Sequence, residues 1–458
     1  MGRPWRHNGE MNPRRISQWL GLGSLVGVLT ACTSSHPRIG KAITPAVHTF
    51  EKITLSHEFW SEGACFADIN HDGKMDVVSG PFWYEGPSFT VRHAYSDASR
   101  TSKSHKNGQE VTFPGFKGKL GDENEYSANF FAYSHDFNGD GWADILILGF
   151  PGENSWWYEN PGRDVAANNN WKRHVALEVT DDESPRFADI NGDGRPDIVC
   201  ASRGSFGWAE YDPKNPTALF KWHPISPNLN LHKFTHGLGV GDVDGDGRMD
   251  LLEKDGWWQQ PKTITGDPVW VKHAWNFGTG GAQMYAYDVN RDGLNDVITS
   301  QAAHGYGLSW YEQYREGSEI KFREHSIMNK EANENRYGVH FSQLHAIDLV
   351  DMNGDGLKDI VTGKRFWAHG PAGDPEPNSA PVVYWFELKV GKDHTVDYVP
   401  HLVDDSSGTG TEVLAQDYNG DGLPDIVVGN KHGVYVFRHQ LKSVTAAEYE
   451  AAQPKPLK

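Results

Sequence analysis

Short apolar runs recur seven times along this chain, and long polar stretches rich in glycine and aspartate separate them. Runs of two or three residues that are rich in valine and isoleucine predict buried β-strands when turn-forming residues flank them. Small residues such as Ala67 and Ala188 mark an earlier strand in the same unit. The runs lie at residues 77–78, 145–147, 198–199, 251–252, 297–298, 360–361 and 426–428.

A third predicted strand follows each apolar run and carries aromatic residues, often as Trp-Tyr-Glu. Its markers are Trp83, Trp157, Trp208, Trp257, Trp310, Trp385 and Tyr435. A fourth predicted strand contains a histidine in six units, and we expect this recurring histidine to be structural. The histidines are His93, His174, His223, His273, His325 and His401. Seven units of four strands predict an all-β fold, a seven-bladed β-propeller.

The two ends of the repeat region predict how the propeller closes. The seventh unit ends after its third strand at Phe437, and the residues from Gln440 to Lys458 form a polar tail without a strand pattern. Residues 50–55 resemble a fourth strand but precede the first unit. We therefore expect this N-terminal strand to complete the last blade, with the propeller spanning 48–438 and the tail 439–458.

Between the first and second strands of every unit lies the pattern Asp-x-(Asn/Asp)-x-Asp-Gly-x-x-Asp. Calcium takes six to eight oxygen ligands, and a tight loop with glycine at its sixth position can direct alternate side chains inward. The pattern predicts up to seven calcium ions. The predicted ligands are Asp68, Asn70, Asp72, Asp76, Asp136, Asn138, Asp140, Asp144, Asp189, Asn191, Asp193, Asp197, Asp242, Asp244, Asp246, Asp250, Asp288, Asn290, Asp292, Asp296, Asp351, Asn353, Asp355, Asp359, Asp417, Asn419, Asp421 and Asp425.

These repeats resemble the FG-GAP or VCBS family, the calcium-loop propellers of integrin α-subunits and of many bacterial surface proteins. The resemblance covers roughly residues 50–438. It implies that the loops bind calcium on one rim of the propeller, but adhesion proteins and enzymes share this scaffold. The Trp-Tyr-Glu strands also resemble the propeller part of aldos-2-ulose dehydratase, a sugar dehydratase whose cupin portion this chain lacks.

The acidic charge of the chain reflects these loops. The formal net charge is −18, and the loops hold 22 of the 61 acidic residues, which leaves 39 acids against 43 basic residues. Outside the loops the chain is therefore slightly basic, and its charge gives no support to a nucleic-acid partner. We expect a monomer.

The N-terminal segment resembles a bacterial lipoprotein signal. Arg14 and Arg15 precede an apolar stretch at 19–30 that is too short to span a bilayer, and Leu-Thr-Ala-Cys ends at Cys32. The resemblance implies a signal peptide over 1–32, lipidation of Cys32, a flexible tether over 33–47 and attachment to the outer membrane through lipid alone. An ordinary cleaved signal is the alternative, and the arginine pair also resembles a twin-arginine export signal. Cys65 and Cys200 lie too far apart in the predicted ring to pair.

Long insertions and polar residues predict a functional site on the face opposite the calcium loops. Loops on a rigid scaffold commonly carry binding chemistry. The candidate residues at the channel mouth are His236, His304, His345, Lys364 and Glu412. We expect them to bind a carbohydrate or protein ligand. The alternatives are a carbon–oxygen lyase or dehydratase acting on sugars, with these residues catalytic, and a plain hydrated channel lined by solvated side chains.

Overall fold

A computed structural model describes residues 45–97, 103–106, 109–112 and 126–458. The predicted signal peptide, Cys32 and most of the predicted tether lie outside these residues. The described part of the chain is almost entirely antiparallel β-structure, with one α-helix, α1 (Ala446–Ala452), and two short 3₁₀ segments, Gly162–Asp164 and Ala332–Glu334. Within it, no helix has the length and apolar character that crossing a bilayer requires.

Within the described residues, the first half of the chain contains fourteen strands, of which eleven form units one to three. They are β1 (Ala46–Ser56), β2 (Cys65–Ala67), β3 (Asp76–Ser79), β4 (Phe82–Tyr84), β5 (Arg92–Ala94), β6 (Lys103–Lys106), β7 (Gln109–Thr112), β8 (Phe131–His135), β9 (Asp144–Leu148), β10 (Glu153–Glu159), β11 (Lys172–Ala188), β12 (Asp197–Ser202), β13 (Ser205–Glu210) and β14 (Lys221–Pro224). Strands β2 to β5 form unit one, and β6 pairs with β7 in a separate hairpin. Strands β8 to β14 form one sheet in chain order.

The long strand β11 belongs to two units. Its first part pairs with β10 between Lys172 and Thr180, and its second part pairs with β12 between Asp181 and Ala188. It is therefore the fourth strand of unit two and the first strand of unit three. The sequence predicted these as two strands, and the structure joins them without an intervening loop.

The second half of the chain forms four further units. The strands are β15 (Leu238–Gly241), β16 (Asp250–Glu253), β17 (Gly256–Gln259), β18 (Val271–Ala274), β19 (Tyr285–Tyr287), β20 (Asp296–Ser300), β21 (Leu308–Glu316), β22 (Glu319–Met328), β23 (Ile347–Val350), β24 (Asp359–Gly363), β25 (Val383–Val390), β26 (Val396–Asp404), β27 (Leu414–Gln416), β28 (Asp425–Asn430) and β29 (Gly433–Ser443). Units four, five and six each take four consecutive strands, and unit seven has the order β1-β29-β28-β27. The N-terminal strand thus supplies the fourth strand of unit seven.

The pairing of β1 with β29 is longer than the sequence predicted. It runs antiparallel from Ala46 opposite Ser443 to Ser56 opposite Val434. The predicted boundaries at residues 48 and 438 were therefore wrong, because each strand provides a backbone partner that extends the other. Residues 440–443, assigned to the polar tail, are strand, and α1 follows with a capping box at Thr445.

The repeated aromatic, glutamate and histidine residues of the outer strands act together. In unit one, the His93 ring stacks on Trp83 with centroids 4.3 Å apart, and its Nε2 lies 2.7 Å from Glu85 Oε1. In unit six, His401 stacks on Trp385 at 4.4 Å and pairs with Glu387 at 3.0 Å. The tryptophans are fully buried, so each histidine covers an apolar ring and keeps its polar edge bonded. The recurring histidine series therefore has the structural role predicted for it.

Neighbouring units contact each other through their innermost strands. Strand β2 contacts β8, β15 contacts both β11 and β19, and β23 contacts β27. Strand β2 also contacts β28, so the last unit lies against the first. The second strands are buried along their whole length between these contacts, which explains their continuous apolar character. Cys65 and Cys200 are buried and unpaired, as predicted.

Candidate functional site

The Asp-rich loops join the first and second strands of each unit and direct oxygen atoms inward. In unit four, Asp242 Oδ1 accepts the backbone N–H of Asp246 (3.0 Å), and Asp242 Oδ2 accepts that of Gly247 (2.9 Å). Carboxylate oxygens of Asp242, Asp244 and Asp246 lie within 4.8 Å of one another. Gly247 has φ of +87°, a conformation that favours glycine. This cluster of hard oxygen donors fits a calcium ion.

The ninth loop residue also bonds to the backbone. Asp250 Oδ2 accepts the N–H of Val243 (2.9 Å), and its Oδ1 accepts the N–H of Gln260, just after the third strand (2.9 Å). Burial raises the pKa of Asp250 to about 7, although these two bonds act in the opposite direction. The sequence identified this position only as a metal ligand. The structure shows that it connects the loop and the start of the second strand to the residue that follows the third strand.

The strand ends away from these loops form what we call the upper face. His236 and His345 precede the innermost strands β15 and β23, and His304 lies between β20 and β21. Their ring centroids are separated by 4.9 Å (His236–His304), 4.5 Å (His304–His345) and 5.6 Å (His236–His345). Three residues chosen from the sequence as one site therefore lie together. We call them the tri-histidine cluster.

A buried arginine joins this cluster to two further units. Arg365 Nη1 donates to Glu183 Oε2 (2.9 Å), and Arg365 Nε donates to Glu62 Oε2 (3.2 Å). Glu183 Oε2 lies 3.5 Å from His236 Nε2. Burial acts to raise the pKa of Glu183, but the nearby imidazole of His236 and the charge of Arg365 outweigh it and hold that pKa well below its usual value. Side chains from units one, three, four and six thus form one network.

The connection between β24 and β25 adds a carboxylate that the sequence analysis did not select. Asp374 Oδ1 lies 2.9 Å from His369 Nδ1 and 3.4 Å from His304 Nδ1. The rings of His304 and His369 stack with centroids 4.2 Å apart, and His369 is exposed. The available signal was the insertion itself, because a long loop that contains histidine and aspartate beside a predicted site is a candidate for part of it.

Two predicted residues have different surroundings. Lys364 Nζ donates to Ser342 Oγ (2.7 Å), and burial lowers the pKa of Lys364 to about 8 although Glu376 and Asp374 oppose the shift. Glu412 Oε2 accepts the N–H of Ala132 in unit two (3.1 Å). Burial raises the pKa of Glu412 to about 8. Glu412 therefore bonds to the backbone of neighbouring innermost strands and is separate from the tri-histidine cluster.

A hydrogen-bonded glutamine connects residues beside the innermost strands of units five, six and seven. Gln283 Nε2 donates to the carbonyl oxygen of Thr411 (3.0 Å), and Gln283 Oε1 accepts the N–H of Ile347 (2.8 Å). His345 is 1% exposed and Lys364 is 0% exposed. The alternative of a hydrated channel lined by solvated side chains therefore does not describe His345 and Lys364, which are enclosed.

Comparisons with known proteins identify the repeat. Residues 136–200 and 189–253 match the FG-GAP-like repeat, and residues 409–437 match the FG-GAP repeat. Integrin alpha pat-2 of Caenorhabditis briggsae is 24% identical over 262 residues, which is 54% of this chain. The chain covers 19% of the length of that integrin. The protein therefore carries integrin-like FG-GAP repeats in a propeller fold.

Solved structures with a similar arrangement include two proteins of low sequence identity. A lectin of Agrocybe aegerita that recognises non-reducing terminal N-acetylglucosamine is 15% identical, with a TM-score of 0.39 over 87% of this chain and 86% of the lectin. BBS1N in complex with ARL6DN is 11% identical, with a TM-score of 0.43 over 86% of this chain and 96% of that chain.

The central arginine gives a prediction about stability. Replacing Arg365 with alanine leaves Glu62 and Glu183 buried without their shared cation, so we expect a loss of about 3–5 kcal/mol in the free energy of unfolding. The matched control is Arg203→Ala, since Arg203 pairs with Glu178 at 2.6 Å on the surface. The loss of unfolding free energy in Arg203→Ala should stay below about 1 kcal/mol. Denaturant unfolding of both variants measures the difference, and equal losses would contradict a structural role for the buried network.

Proposed function

We propose that this protein is a calcium-stabilised propeller of the bacterial cell envelope, anchored by lipid at Cys32, that binds a ligand through its upper face. FG-GAP repeats support a ligand-binding propeller. We choose the upper face because buried polar groups that lack some of their hydrogen bonds are concentrated there. Glu62 Oε1, Arg365 Nη2 and His345 Nε2 are buried without a hydrogen-bond partner among the described residues. Such groups are costly unless a ligand or water binds them.

The ligand we favour is a carbohydrate. Phe366 and Trp367 stack with centroids 4.9 Å apart and lie half-buried directly after Arg365. Lys431 Nζ donates to the carbonyl oxygen of Trp367 (2.6 Å), which holds a cation beside the aromatic pair. Aromatic faces next to charged and amide donors suit a polyhydroxylated ring, since its apolar faces and hydroxyl groups need both kinds of contact. A protein ligand remains the alternative partner.

One observation favours a second function, a carbon–oxygen lyase or dehydratase acting on sugars. His369 and Asp374 lie within hydrogen-bonding distance at 2.9 Å, and Lys364 has a pKa near 8. Elimination beside a carbonyl requires a group that accepts a proton and a group that stabilises negative charge. His369, supported by Asp374, would supply the first role and Lys364 the second.

Calcium binding predicts a stability effect that can be measured directly. When the calcium concentration is a hundred times the dissociation constant, binding to the folded state adds about 2.7 kcal/mol per site to the free energy of unfolding. We therefore expect a chelator to lower the melting temperature by roughly 5 °C or more, and calcium to restore it. Asp246→Ala should lower the bound calcium by one ion. The exposed Asp405→Ala serves as control. An unchanged melting curve in chelator, with no calcium by elemental analysis, would contradict the proposal.

The ligand site predicts which substitutions abolish binding. Screening against microbial, algal and plant glycans, with ultraviolet detection of elimination products, identifies the ligand and separates binding from turnover. His304→Ala and Trp367→Ala should each weaken binding or turnover at least about tenfold, because both residues border the proposed site. His325→Ala is the matched control, since His304 and His325 have side chains 31% and 38% exposed and His325 lies on an outer strand. Equal effects of His304→Ala and His325→Ala would overturn the choice of face.

The anchor predicts where the protein is found in a bacterial host. Cys32→Ser removes the thiol that would carry the lipid, so the protein should move from the membrane fraction to the soluble fraction. Labelled palmitate should enter the wild-type protein and the control variant Ser35→Ala but not Cys32→Ser. Absence of label from the wild-type protein would disprove the anchor.

A further inference from the structure

We propose that His236, His304 and His345 bind one transition-metal ion of the zinc class. This site lies at the ends of the strands opposite the Asp-rich loops. Its ligand atoms are imidazole nitrogens, whereas those of the loops are oxygens. The inference does not depend on a carbohydrate ligand. It concerns the tri-histidine cluster alone.

The three imidazole rings converge on one point. One nitrogen of each ring can be chosen so that all three lie within 4.8 Å of one another. The angles between the ring planes are 79° for His236 and His304, 68° for His236 and His345, and 79° for His304 and His345. The rings therefore meet edge to face and do not stack on one another. Zinc binds histidine nitrogens at about 2.0–2.1 Å in tetrahedral geometry, which places the nitrogens about 3.4 Å apart. The nitrogens lie at most 4.8 Å apart, so the proposed ion requires the rings to move closer together.

The hydrogen bonds of the innermost histidine fix which nitrogen is free. His345 Nδ1–H donates to the carbonyl oxygen of Gln343 (3.3 Å), and this bond selects the tautomer with a lone pair on Nε2. His345 is 1% exposed, and its Nε2 has no hydrogen-bond partner within the described part of the chain. Metal-binding histidines commonly donate their other N–H to a backbone carbonyl, because this orients the ring. His345 therefore has the arrangement of a metal ligand.

The other two histidines also have incompletely bonded nitrogens. His236 Nε2 and His304 Nδ1 are buried without a hydrogen-bond partner among the residues described. The nearest carboxylate oxygens are long for hydrogen bonds, at 3.5 Å from Glu183 to His236 and 3.4 Å from Asp374 to His304. A cation bound to one nitrogen of each ring would lie where the protein leaves imidazole nitrogens without a hydrogen-bond partner among the described residues. It would also lie near these two carboxylates, which balance its charge.

The nearby arginine does not prevent a cation from binding. Arg365 contacts both Glu62 and Glu183, so its positive charge is already compensated by two carboxylates. Asp374 adds a further negative charge beside His304. Glu183 and Asp374 therefore place negative charge directly beside the tri-histidine cluster.

The donor atoms determine the class of metal. Imidazole nitrogens suit zinc, copper, nickel and iron, whereas calcium requires oxygen ligands. Three histidines leave a fourth tetrahedral position for water or an exogenous ligand. His304 has a side chain that is 31% exposed, so this position has a route to solvent. His304, His369 and Asp374 form a second possible set of ligands that shares one histidine with the first.

The test uses the folded protein saturated with calcium, so that the Asp-rich loops are already occupied. Titration with zinc followed by calorimetry should give one tight site, and cobalt should give the intense visible absorption of a tetrahedral ion. His304→Ala and His236→Ala should each weaken zinc affinity at least about tenfold. His325→Ala should leave it unchanged, because that histidine belongs to an outer strand. The melting temperature without zinc shows that each variant is folded.

Two results would overturn the proposal. One is the absence of zinc binding and of a cobalt band in the calcium-saturated wild-type protein. The other is loss of binding in His369→Ala with full binding retained in His236→Ala, which would place the ion at the second set of residues. If zinc binding is lost in His236→Ala and His304→Ala but retained in His369→Ala, the result supports the tri-histidine cluster as the site.

Discussion

The buried carboxylate at the ninth position of each Asp-rich loop is the interaction on which the units depend. In unit one, Asp76 accepts the N–H of Ile69 within the loop and that of Gly86 beyond the third strand. In unit six, Asp359 accepts the N–H of Met352 and that of Leu388 in the third strand. One side chain therefore fixes the loop, the start of the second strand and the third strand in a common geometry. In unit three the equivalent Asp197 accepts the N–H of Ile190 within the loop, so the bond inside the loop recurs there as well.

The upper face is constrained differently, because its buried groups come from distant parts of the sequence. Arg365 follows β24 in unit six and bonds to Glu62 of unit one and Glu183 of unit three. No local pattern requires these three residues, and each would be costly to bury alone. The connections between strands at this end differ in length from unit to unit, so individual residues such as Asp374 can be added without altering the repeat. The structure thus separates a uniform rim from a specialised one.

Sequence reasoning succeeded where structure follows from a short repeated pattern. The strand order, the loops and the structural role of the recurring histidines all depend on spacing within one unit. The convergence of His236, His304 and His345 was predictable because all three lie at the same end of the strands in three successive units. The burial of Lys364 was not predictable, and neither was the length of the pairing between β1 and β29, which extends to Ser443. Both depend on partners distant in sequence, Ser342 and β1, which no local periodicity reveals.

The two rims present different donor chemistry to solvent, and this has a consequence for how stability and binding are related. The Asp-rich loops offer oxygen atoms held by backbone N–H groups, as at Asp242, so an ion bound there stabilises the unit that holds it. The upper face offers imidazole nitrogens from three units, held by Gln343, Glu183 and Asp374. An ion bound there joins units that are already folded. Loss of a loop ion should therefore weaken a single unit, whereas loss of an upper-face ion should weaken the association of three units, and either loss lowers the stability of the folded protein.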